Sequence, residues 1–419
     1  MNKTFDSIDH KEKSIKVSEA KDILNKFIFV TRKTELIKIR NCVNRISSQN
    51  VVSKNNVPKY NNAAVDGYAL NFSDLKADIR EFELVGCSRP GEPFNGKLEK
   101  GQAIKIFTGA MILPKFRNKI NVVFMRESCS QIKNKIKINE FFFKGQNIRK
   151  KGEDIKNGEI IVKKGRKIRV VDLGFLSSLG LKTLKVYKKL NVGIFSTGDE
   201  IITKKGECSK NKIFDSNMLT LLSMVESLGC NPIDFGVIGD DYNESKKKIF
   251  ESLKLCDVLI TTGGISSSET DHVKTFILKN GKLKFSKILM KPGRPFSFAV
   301  VKNKPLLGLP GNPVAVVVVF LMFVVNYICK MSGLQSKKIN YSYLPSSFDL
   351  KKKKNRKEWL RGSIIIKNKK IMLTKFKNEG SGILSSVFTT QGIIELDEKT
   401  EYIKKGDLLK FYRYEDILN

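Results

Sequence analysis

The chain has 419 residues, enough for roughly three domains of ordinary size, and a formal net charge of +35. Its lysines are spread over the whole length, which indicates a compositional bias and a solvated basic surface, so specific nucleic-acid binding is not expected. Seven scattered cysteines without CxxC pairs favour a reducing compartment, and two histidines argue against a histidine triad or a His-rich metal site.

Two segments bear on membrane association. Met1–Lys16 is polar and charged and lacks the apolar core of a signal peptide. The most apolar run, Val314–Val325, is shorter than the ~20 residues that a bilayer span needs, which predicts a buried helix after Pro313. We therefore expect a cytoplasmic protein without a membrane partner.

The pattern of apolar residues changes along the first part of the chain, from helical spacing to short strand-like runs. Apolar spacing predicts a helix over residues 17–27 with Ser18 as its cap, a strand at Leu36–Ile39 and a second helix at Asn41–Ser47. From Val51 to about Phe143, short strand-like runs are separated by Pro and Gly, which predicts an inserted β-rich domain. Its expected strands are Glu81–Val85, Gln102–Phe107, Asn121–Met125 and Lys135–Phe142.

From Leu190 to about Leu334, strands and helices alternate as in βαβ units, which predicts a three-layer α/β domain with a parallel sheet. Within it, Asp215 or Ser216 is expected to cap a helix at Met218–Gly229, and the helix residues expected to face inward are Leu219, Leu222 and Val225. Short strands after Ser336 predict a small, β-barrel-like C-terminal domain. The expected domains are 1–50 with 145–189, 51–144, 190–335 and 336–419. The basic run Lys351–Lys357 is interpreted as a loop on the last of them.

Three glycine-bearing turns each follow a run typical of a buried parallel strand: Thr197–Glu200, Thr262–Ser266 and Pro310–Pro313. In an open α/β sheet, ligands bind beyond the carboxyl ends of the strands, so these turns should converge on one crevice. Free backbone N–H groups suit phosphate, and neighbouring carboxylates suit a hard divalent cation. The pattern favours a phosphorylated ligand handled with Mg²⁺.

The order of these motifs resembles the molybdopterin molybdenumtransferase family, which includes the bacterial MoeA proteins and the gephyrin E domain. The resemblance runs from about Val17 to Asp407. Its marks are Asp66–Ala69, Ile106–Ala110, Gln146–Arg149, Phe195–Glu200, Asp240-Asp241, Thr262–Ser266 with Asp271, Lys291–Phe296, Leu309–Pro313 and Gly380–Gly382.

The resemblance implies that the α/β domain is molybdopterin-binding-like and that the enzyme inserts molybdate into adenylylated molybdopterin with Mg²⁺-dependent release of AMP. Its implied catalytic residues are Asp66, Thr108, Glu200, Asp240 and Asp271. The carboxylates available to the metal are Asp199, Glu200, Asp240 and Asp271, which the sequence does not rank. The implied substrate-binding residues are Arg149, Ser196, Thr197, Gly198, Gly263, Gly264, Ser266, Lys287, Lys291, Arg294, Pro310, Asn312 and Pro313.

The resemblance also implies a homodimer whose active sites combine the α/β domain of one subunit with the inserted domain of the other. Several alternatives stay open. Asp240 can cap a helix, Arg149 can pair with Asp154, and Pro310 and Pro313 can serve only to shape a loop. The whole chain can also be a catalytically weak scaffold or binding protein with the same fold.

Three positions depart from the family pattern. Ala63 stands where a Ser is frequent, Phe116–Asn121 replaces a Gly-Ala-Asp-Ala stretch, and Ser268 replaces a Gly. None of them removes an expected metal or phosphate ligand, so they bear on fine positioning and leave the expected reaction unchanged.

Overall fold

The structure is a computed structural model that describes residues 14–77, 79–140, 143–202, 212–239, 241–265, 272–335 and 339–418. The chain divides into two compact units. The larger unit comprises Met1–Ser48, Gly165–Val170 and Leu184–Asn419, and the smaller unit comprises Gln49–Lys164 and Val171–Thr183. The boundaries of four domains stay a prediction.

The smaller unit is built on a six-stranded sheet, as the β-rich texture predicted. In spatial order its strands are Val122–Met125, Gly67–Leu70, Gln102–Ile106, Glu81–Ser88, Lys135–Ile138 and Cys129–Ile132. Two short ladders join Val51–Val52 to Ile160–Val162 and Asn62–Ala63 to Ile148–Arg149. The α-helices Phe72–Lys76 and Val170–Ser178 and the 3₁₀ turns Pro114–Phe116 and Arg126–Ser128 complete its regular structure among the described residues.

The larger unit contains the α/β sheet. Its strands in chain order are β1 Asn191–Thr197, β2 Asn231–Ile238, β3 Val258–Thr262, β4 Lys282–Phe285, β5 Ser297–Val301 and β6 Lys304–Leu309. Their spatial order is β2-β1-β3-β6-β5-β4, and β2, β1, β3 and β6 are mutually parallel. Strand β5 runs antiparallel to both of its neighbours, so the expected parallel sheet carries one reversed strand.

The alternating direction of side chains along the strands explains why the sheet has a layer of helices on each face. In β1, Val192 and Ile194 face a core with the helices α1 Ser216–Ser227 and α4 Pro313–Met331. Phe195 faces the opposite core, which is covered by α2 Tyr242–Leu255 and α3 His272–Asn280. Because successive side chains of a strand point to opposite faces, one apolar run supplies both cores.

Helix α4 is the described helix that is long and apolar enough to cross a membrane, and 89% of its apolar window is buried inside the structure. It has a π-helical segment at Phe320–Val324 between two α-helical parts. Its apolar residues pack in the core shared with β1, which confirms the buried helix expected after Pro313.

The C-terminal part forms a second sheet, also six-stranded, consistent with the expected small β-domain. Its members are Met290–Lys291, Lys357–Lys367, Lys370–Lys375, Gly392–Leu396, Leu408–Arg413 and Ser342–Pro345. The strand Met290–Lys291 comes from the α/β part of the chain and pairs in parallel, so Lys291 lies beside Glu358. Further short elements of the larger unit are the strand pairs Leu350–Lys351 with Tyr402–Ile403 and Ile201–Ile202 with Ile213–Phe214, and the helices Ser385–Phe388 and Tyr414–Leu418.

The N-terminal region differs from the sequence expectation in two details. The helix Val17–Lys26 is present, but Lys16 occupies its N-cap in place of Ser18. The helix expected at Asn41–Ser47 is wrong: a 3₁₀ turn at Ile39–Asn41 is followed by bridges from Ile46 and Ser47 to other segments. Tertiary pairing there overrides a local apolar pattern, since Thr34–Lys38 already pairs with Thr183–Tyr187 nearby.

Candidate active site

The ends of β1, β3 and β6 lie together, and the turns that follow them are joined by hydrogen bonds. Gly263 N donates to Leu309 O at 3.1 Å, and Thr262 Oγ1 donates to Pro310 O at 3.0 Å. Thr197 Oγ1 approaches Thr262 O at 3.4 Å. The three glycine-bearing turns therefore form one continuous edge, as parallel strands of one sheet should place them.

Gly263 shows why this edge needs glycine. Its φ is +85°, a conformation that L side chains rarely adopt, and a Cβ built there would lie 2.6 Å from Thr197 Oγ1. It would also lie 2.9 Å from the carbonyl oxygen of Thr197, which belongs to the backbone and has no rotamer to change. The turn after β3 thus approaches the end of β1 too closely for any side chain.

The start of α1 belongs to the same edge, and the sequence interpretation saw it only as a helix cap. Asp215 Oδ1 accepts from the backbone N–H groups of Asn217 and Met218, both at 2.9 Å. Asn217 Nδ2 donates to Thr262 Oγ1 at 2.9 Å and to Gly311 O at 2.7 Å. Asn217 therefore ties α1 to the two turns, and the Asp-Ser-Asn order after a strand was the signal available in the sequence.

Two of the carboxylates expected to hold a metal are described. The carboxylate of Glu200 lies over Gly198, and a Cβ built on Gly239 would lie 3.3 Å from Asp199 Oδ1. Asp240, Asp271 and Ser266, which the sequence also assigned to the site, lie outside the described residues. Within the described ranges, no group of three or more His, Cys, Asp or Glu side chains is arranged for a metal.

Next to the turn after β6 lies a cavity of about 510 Å³, referred to below as the cationic pocket. Four parts of the chain that are distant in sequence line it: the loop Lys291–Pro295, the turn before α4 with the start of that helix, Arg356, and residues 379–381. Its lining residues are Met290, Lys291, Pro292, Gly293, Arg294, Pro295, Pro310, Asn312, Ala315, Arg356, Glu379, Gly380 and Ser381. Asn312 is the N-cap of the helix and Pro313 its first residue, and Val314 N donates to Ser381 O at 3.1 Å.

Two of the cations in this pocket, Lys291 and Arg356, are ion-paired. Lys291 Nζ lies 2.9 Å from Glu379 Oε2 and 3.9 Å from Glu358 Oε2, and Arg356 donates to Glu358 Oε1. Arg356 was missed as a site residue, although the basic run Lys351–Lys357 that contains it was noticed. Its position beside Lys291 depends on a strand pairing between residues that are distant in sequence, Lys291 and Glu358, and the run alone does not predict that pairing.

In the smaller unit, the structure brings together two expected catalytic residues. Asp66 Oδ1 accepts from Thr108 Oγ1 at 2.6 Å and from Thr108 N at 2.7 Å. These donors, the hydroxyl first, hold the pKa of the Asp66 carboxyl below its usual range because they stabilise the charged form. Both side chains are exposed, so the pair is available for contact with a ligand.

Family models match most of the chain. Residues 15–180 match the MoeA N-terminal region (domain I and II), residues 193–330 a probable molybdopterin binding domain, and residues 343–414 the MoeA C-terminal region (domain IV). The molybdopterin molybdenumtransferase of Haemophilus influenzae is 32% identical over 388 residues, covering 92% of this chain and 95% of that one.

The chain belongs to the MoeA family. The molybdopterin molybdenumtransferase of Bacillus subtilis is 29% identical over 297 residues, covering 70% of this chain and 69% of that one. The solved structure of the molybdopterin biosynthesis MoeA protein of Pyrococcus horikoshii has a TM-score of 0.83 and 29% identity, and covers 96% of this chain and 100% of that one. The resemblance and the multidomain α/β fold predicted from the sequence are confirmed.

Three of the sequence marks of the MoeA family meet in the cationic pocket: Lys291–Phe296, Leu309–Pro313 and Gly380–Gly382. Other expected substrate-binding residues lie elsewhere. Ser196 is fully buried, and its Oγ has no hydrogen-bond partner in the described part of the chain. Arg149 is exposed in the strand Ile148–Arg149 of the smaller unit, and Lys287 accepts at its carbonyl from Ile15 N. The roles of these three residues stay predictions.

Proposed function

We propose that this protein is a molybdopterin molybdenumtransferase that inserts molybdate into adenylylated molybdopterin and releases AMP. The observation that carries the proposal is the position of the cationic pocket, which holds Lys291, Arg294 and Arg356 next to the Pro310 turn. That turn is bonded to the glycine turn after β3. A small oxyanion and a phosphate group would therefore lie side by side.

The charges of the reactants explain why the site would need both cationic side chains and backbone N–H donors. Molybdate, the pterin phosphate and AMP are all anionic, so a site that unites them must offset their repulsion with cations and N–H donors. Lys291, Arg294 and Arg356 offer positive charge and N–H donors for the oxyanion. The glycine turns offer backbone N–H groups at the ends of parallel strands, which suit a phosphate.

The carboxylates at the end of β1 fit a hard divalent cation. Asp199 and Glu200 would hold Mg²⁺ together with Asp240 and Asp271. When bound, Mg²⁺ supplies charge neutralisation at the phosphoanhydride oxygens. Lys291, Arg294 and Arg356 then orient the oxyanion, and the turns hold the phosphate in place.

We further propose that the protein is a cytoplasmic homodimer and that Asp66 and Thr108 act on the substrate held by a second subunit. Two observations support the roles of these residues: they are hydrogen-bonded to each other, and both are exposed. The two-fold dimer follows from the family resemblance, and closed two-fold symmetry is the commonest arrangement for homo-oligomers.

The test is a reconstituted reaction of the purified protein with adenylylated molybdopterin, molybdate and Mg²⁺. AMP is quantified by chromatography, and the molybdenum cofactor is detected by activation of a cofactor-free molybdoenzyme. The proposal expects both products to depend on molybdate and on Mg²⁺, with chelation by EDTA as the control. Binding of the pterin without AMP release under all conditions would instead support the scaffold alternative.

A further inference from the structure

Two carboxylates pair with cations of the cationic pocket, and they differ in their freedom to move. Glu358 is 3% exposed, lies within the strand Lys357–Lys367, and accepts from two nitrogens of Arg356 at 2.6 and 3.1 Å. A buried, paired carboxylate is costly to separate from its partner. Glu379 is 30% exposed and belongs to the irregular segment after the strand Lys370–Lys375. Only the second carboxylate can readily leave its partner.

Glu379 already contacts two lysines. Its Oε2 accepts from Lys291 at 2.9 Å, and its Oε1 lies 3.5 Å from Lys375 Nζ. Lys291 lines the cationic pocket, whereas Lys375 is 21% exposed and is not among the lining residues. The carboxylate can therefore give up Lys291 and remain paired with Lys375, without being left as an isolated charge.

Glu379 also stands where two cavities meet. A second cavity of about 360 Å³ is lined by the basic segment Lys351–Lys353 and shares Lys291, Arg356 and Glu379 with the cationic pocket. The hydrogen bond from Lys291 holds the pKa of Glu379 below its usual range, so the carboxylate is charged at neutral pH. An oxyanion that approaches Lys291 meets this like charge at contact distance.

We propose that Glu379 is a displaceable counter-ion of the oxyanion site. In the absence of oxyanion the Glu379 carboxylate is paired with the ammonium groups of both Lys291 and Lys375. When molybdate binds, the carboxylate gives up Lys291, stays paired with Lys375, and leaves the Lys291 ammonium free to pair with molybdate. The inference rests on the proposed function, because it takes the cationic pocket as the molybdate site. In this role Glu379 sets the molybdate concentration that is needed to occupy the site.

The test measures molybdate binding to the full-length protein by isothermal titration calorimetry. Glu379→Gln removes the competing charge and should lower the Kd for molybdate by about three- to tenfold. Glu401→Gln is the matched control. It removes the same charge from a glutamate that lines the second cavity and pairs with Lys354 at 2.8 Å, so it should change the Kd by less than about twofold.

A second pair of variants asks whether Lys375 acts through Glu379. Lys375→Met leaves the carboxylate without its alternative partner, so the Kd should rise by about two- to fivefold in the otherwise unchanged protein. The same change combined with Glu379→Gln should have little effect, because the two residues share one interaction. An equal rise in both backgrounds would mean that Lys375 acts only through its long-range field, and would overturn the displacement.

Failure of this inference can be told apart from failure of the proposed function. If Lys291→Ala weakens molybdate binding while Glu379→Gln leaves it unchanged or weaker, the pocket is the oxyanion site and Glu379 is not its counter-ion. If no variant, including Lys291→Ala, changes the Kd, the pocket is not the oxyanion site and both proposals fall. Should Glu379→Gln not fold, as judged by circular dichroism, Glu379→Ala and the Lys375→Met variant carry the same test.

Discussion

The strand-end turns and the cationic pocket are neighbours, yet different forces hold them. The turns are joined by neutral hydrogen bonds between largely buried groups, such as Thr262 Oγ1 to Pro310 O at 3.0 Å. The pocket is held by ion pairs between partly exposed side chains, such as Lys291 and Glu379, which are 38% and 30% exposed.

This difference separates a fixed site from an adjustable one. Buried hydrogen bonds to backbone groups set one geometry, and the glycine conformations leave the turns no room for another. Partly exposed ion pairs contribute little stability and are weakened by salt, so their members can exchange partners with an incoming anion. The turns suit a phosphate that must be held in place, whereas the pocket suits a small oxyanion that must enter and leave.

The largest expected effect concerns Asp66 of the smaller unit and Asp271, an expected metal ligand of the larger one. Asp66→Ala and Asp271→Asn should each lower AMP release by about a hundredfold or more, as expected for residues that act on the reacting groups. If the active sites are shared between subunits, a mixed dimer carries one site with neither mutation. Equal amounts of the two chains should then recover roughly a quarter of the original activity, by simple counting of independent sites.

Subunit exchange is allowed by mild dissociation and checked by native mass spectrometry of isotope-labelled chains. The matched control mixes Asp66→Ala with Asp66→Asn, which leaves every site defective and should recover nothing. Exchange without recovery in the Asp66 and Asp271 mixture would show that both residues act within one chain, and the shared-site proposal would be withdrawn.

Gly263→Ala tests the fixed part of the site. The added Cβ meets Thr197 atoms at 2.6 and 2.9 Å, so the turn after β3 must move away from β1. We expect AMP release to fall about tenfold or more and the free energy of unfolding to fall by about 2–3 kcal/mol. Gly101→Ala is the control, because Gly101 has a similar φ of +79° but no atom within 4 Å of the added Cβ.

Urea denaturation and AMP release are measured for both variants. The control should lose only the cost of the backbone conformation, about 1–2 kcal/mol, and keep its activity. Equal activity losses in both variants would show that the close approach of the two turns is not needed for the reaction.

Thr108→Val has the smallest expected effect and tests the Asp66 pair by its pH dependence. Thr108 depresses the pKa of Asp66, so removing the hydroxyl should raise that pKa towards its ordinary value. If the ionised carboxylate is the active form, the acid limb of the rate profile should move to higher pH. The shift should be partial, because the backbone donor remains. An NMR titration of the Asp66 carboxyl checks it, and an unchanged or lower pKa would contradict the assignment.

The strand-end turns could be predicted from the sequence because their signals are local. Each turn follows a short apolar run, and the carboxyl ends of parallel strands must meet on one edge. Asp215 was likewise expected as a possible cap of α1, and it is the cap. The face of that helix was only partly predicted: Leu219 was expected inward but is 71% exposed, whereas Leu221 is buried. The core face starts at Met218 and continues in alternating steps of three and four residues.

The cationic pocket could be predicted only in part, because its geometry depends on contacts between distant segments. Lys291 and Arg294 were expected from one loop, but Arg356 and Glu379 lie in irregular segments that flank strands of the C-terminal sheet. A basic run indicates a solvated face in most proteins, and nothing local distinguishes Arg356 from its lysine neighbours. The strand pairing of Lys291 with Glu358 provides that distinction, and it is visible only in the fold.

The most direct test of the account is the molybdate dependence of AMP release in Lys291→Ala. We expect the molybdate concentration for half-maximal rate to rise by about tenfold, since a hydrogen bond from a charged donor is lost, and the Kd for adenylylated molybdopterin to change by less than about twofold. Lys248→Ala, which removes an ion-paired lysine from helix α2, is the control and should change neither value. Equal losses for both ligands, or no change in the molybdate requirement, would contradict the assignment of the cationic pocket as the oxyanion site.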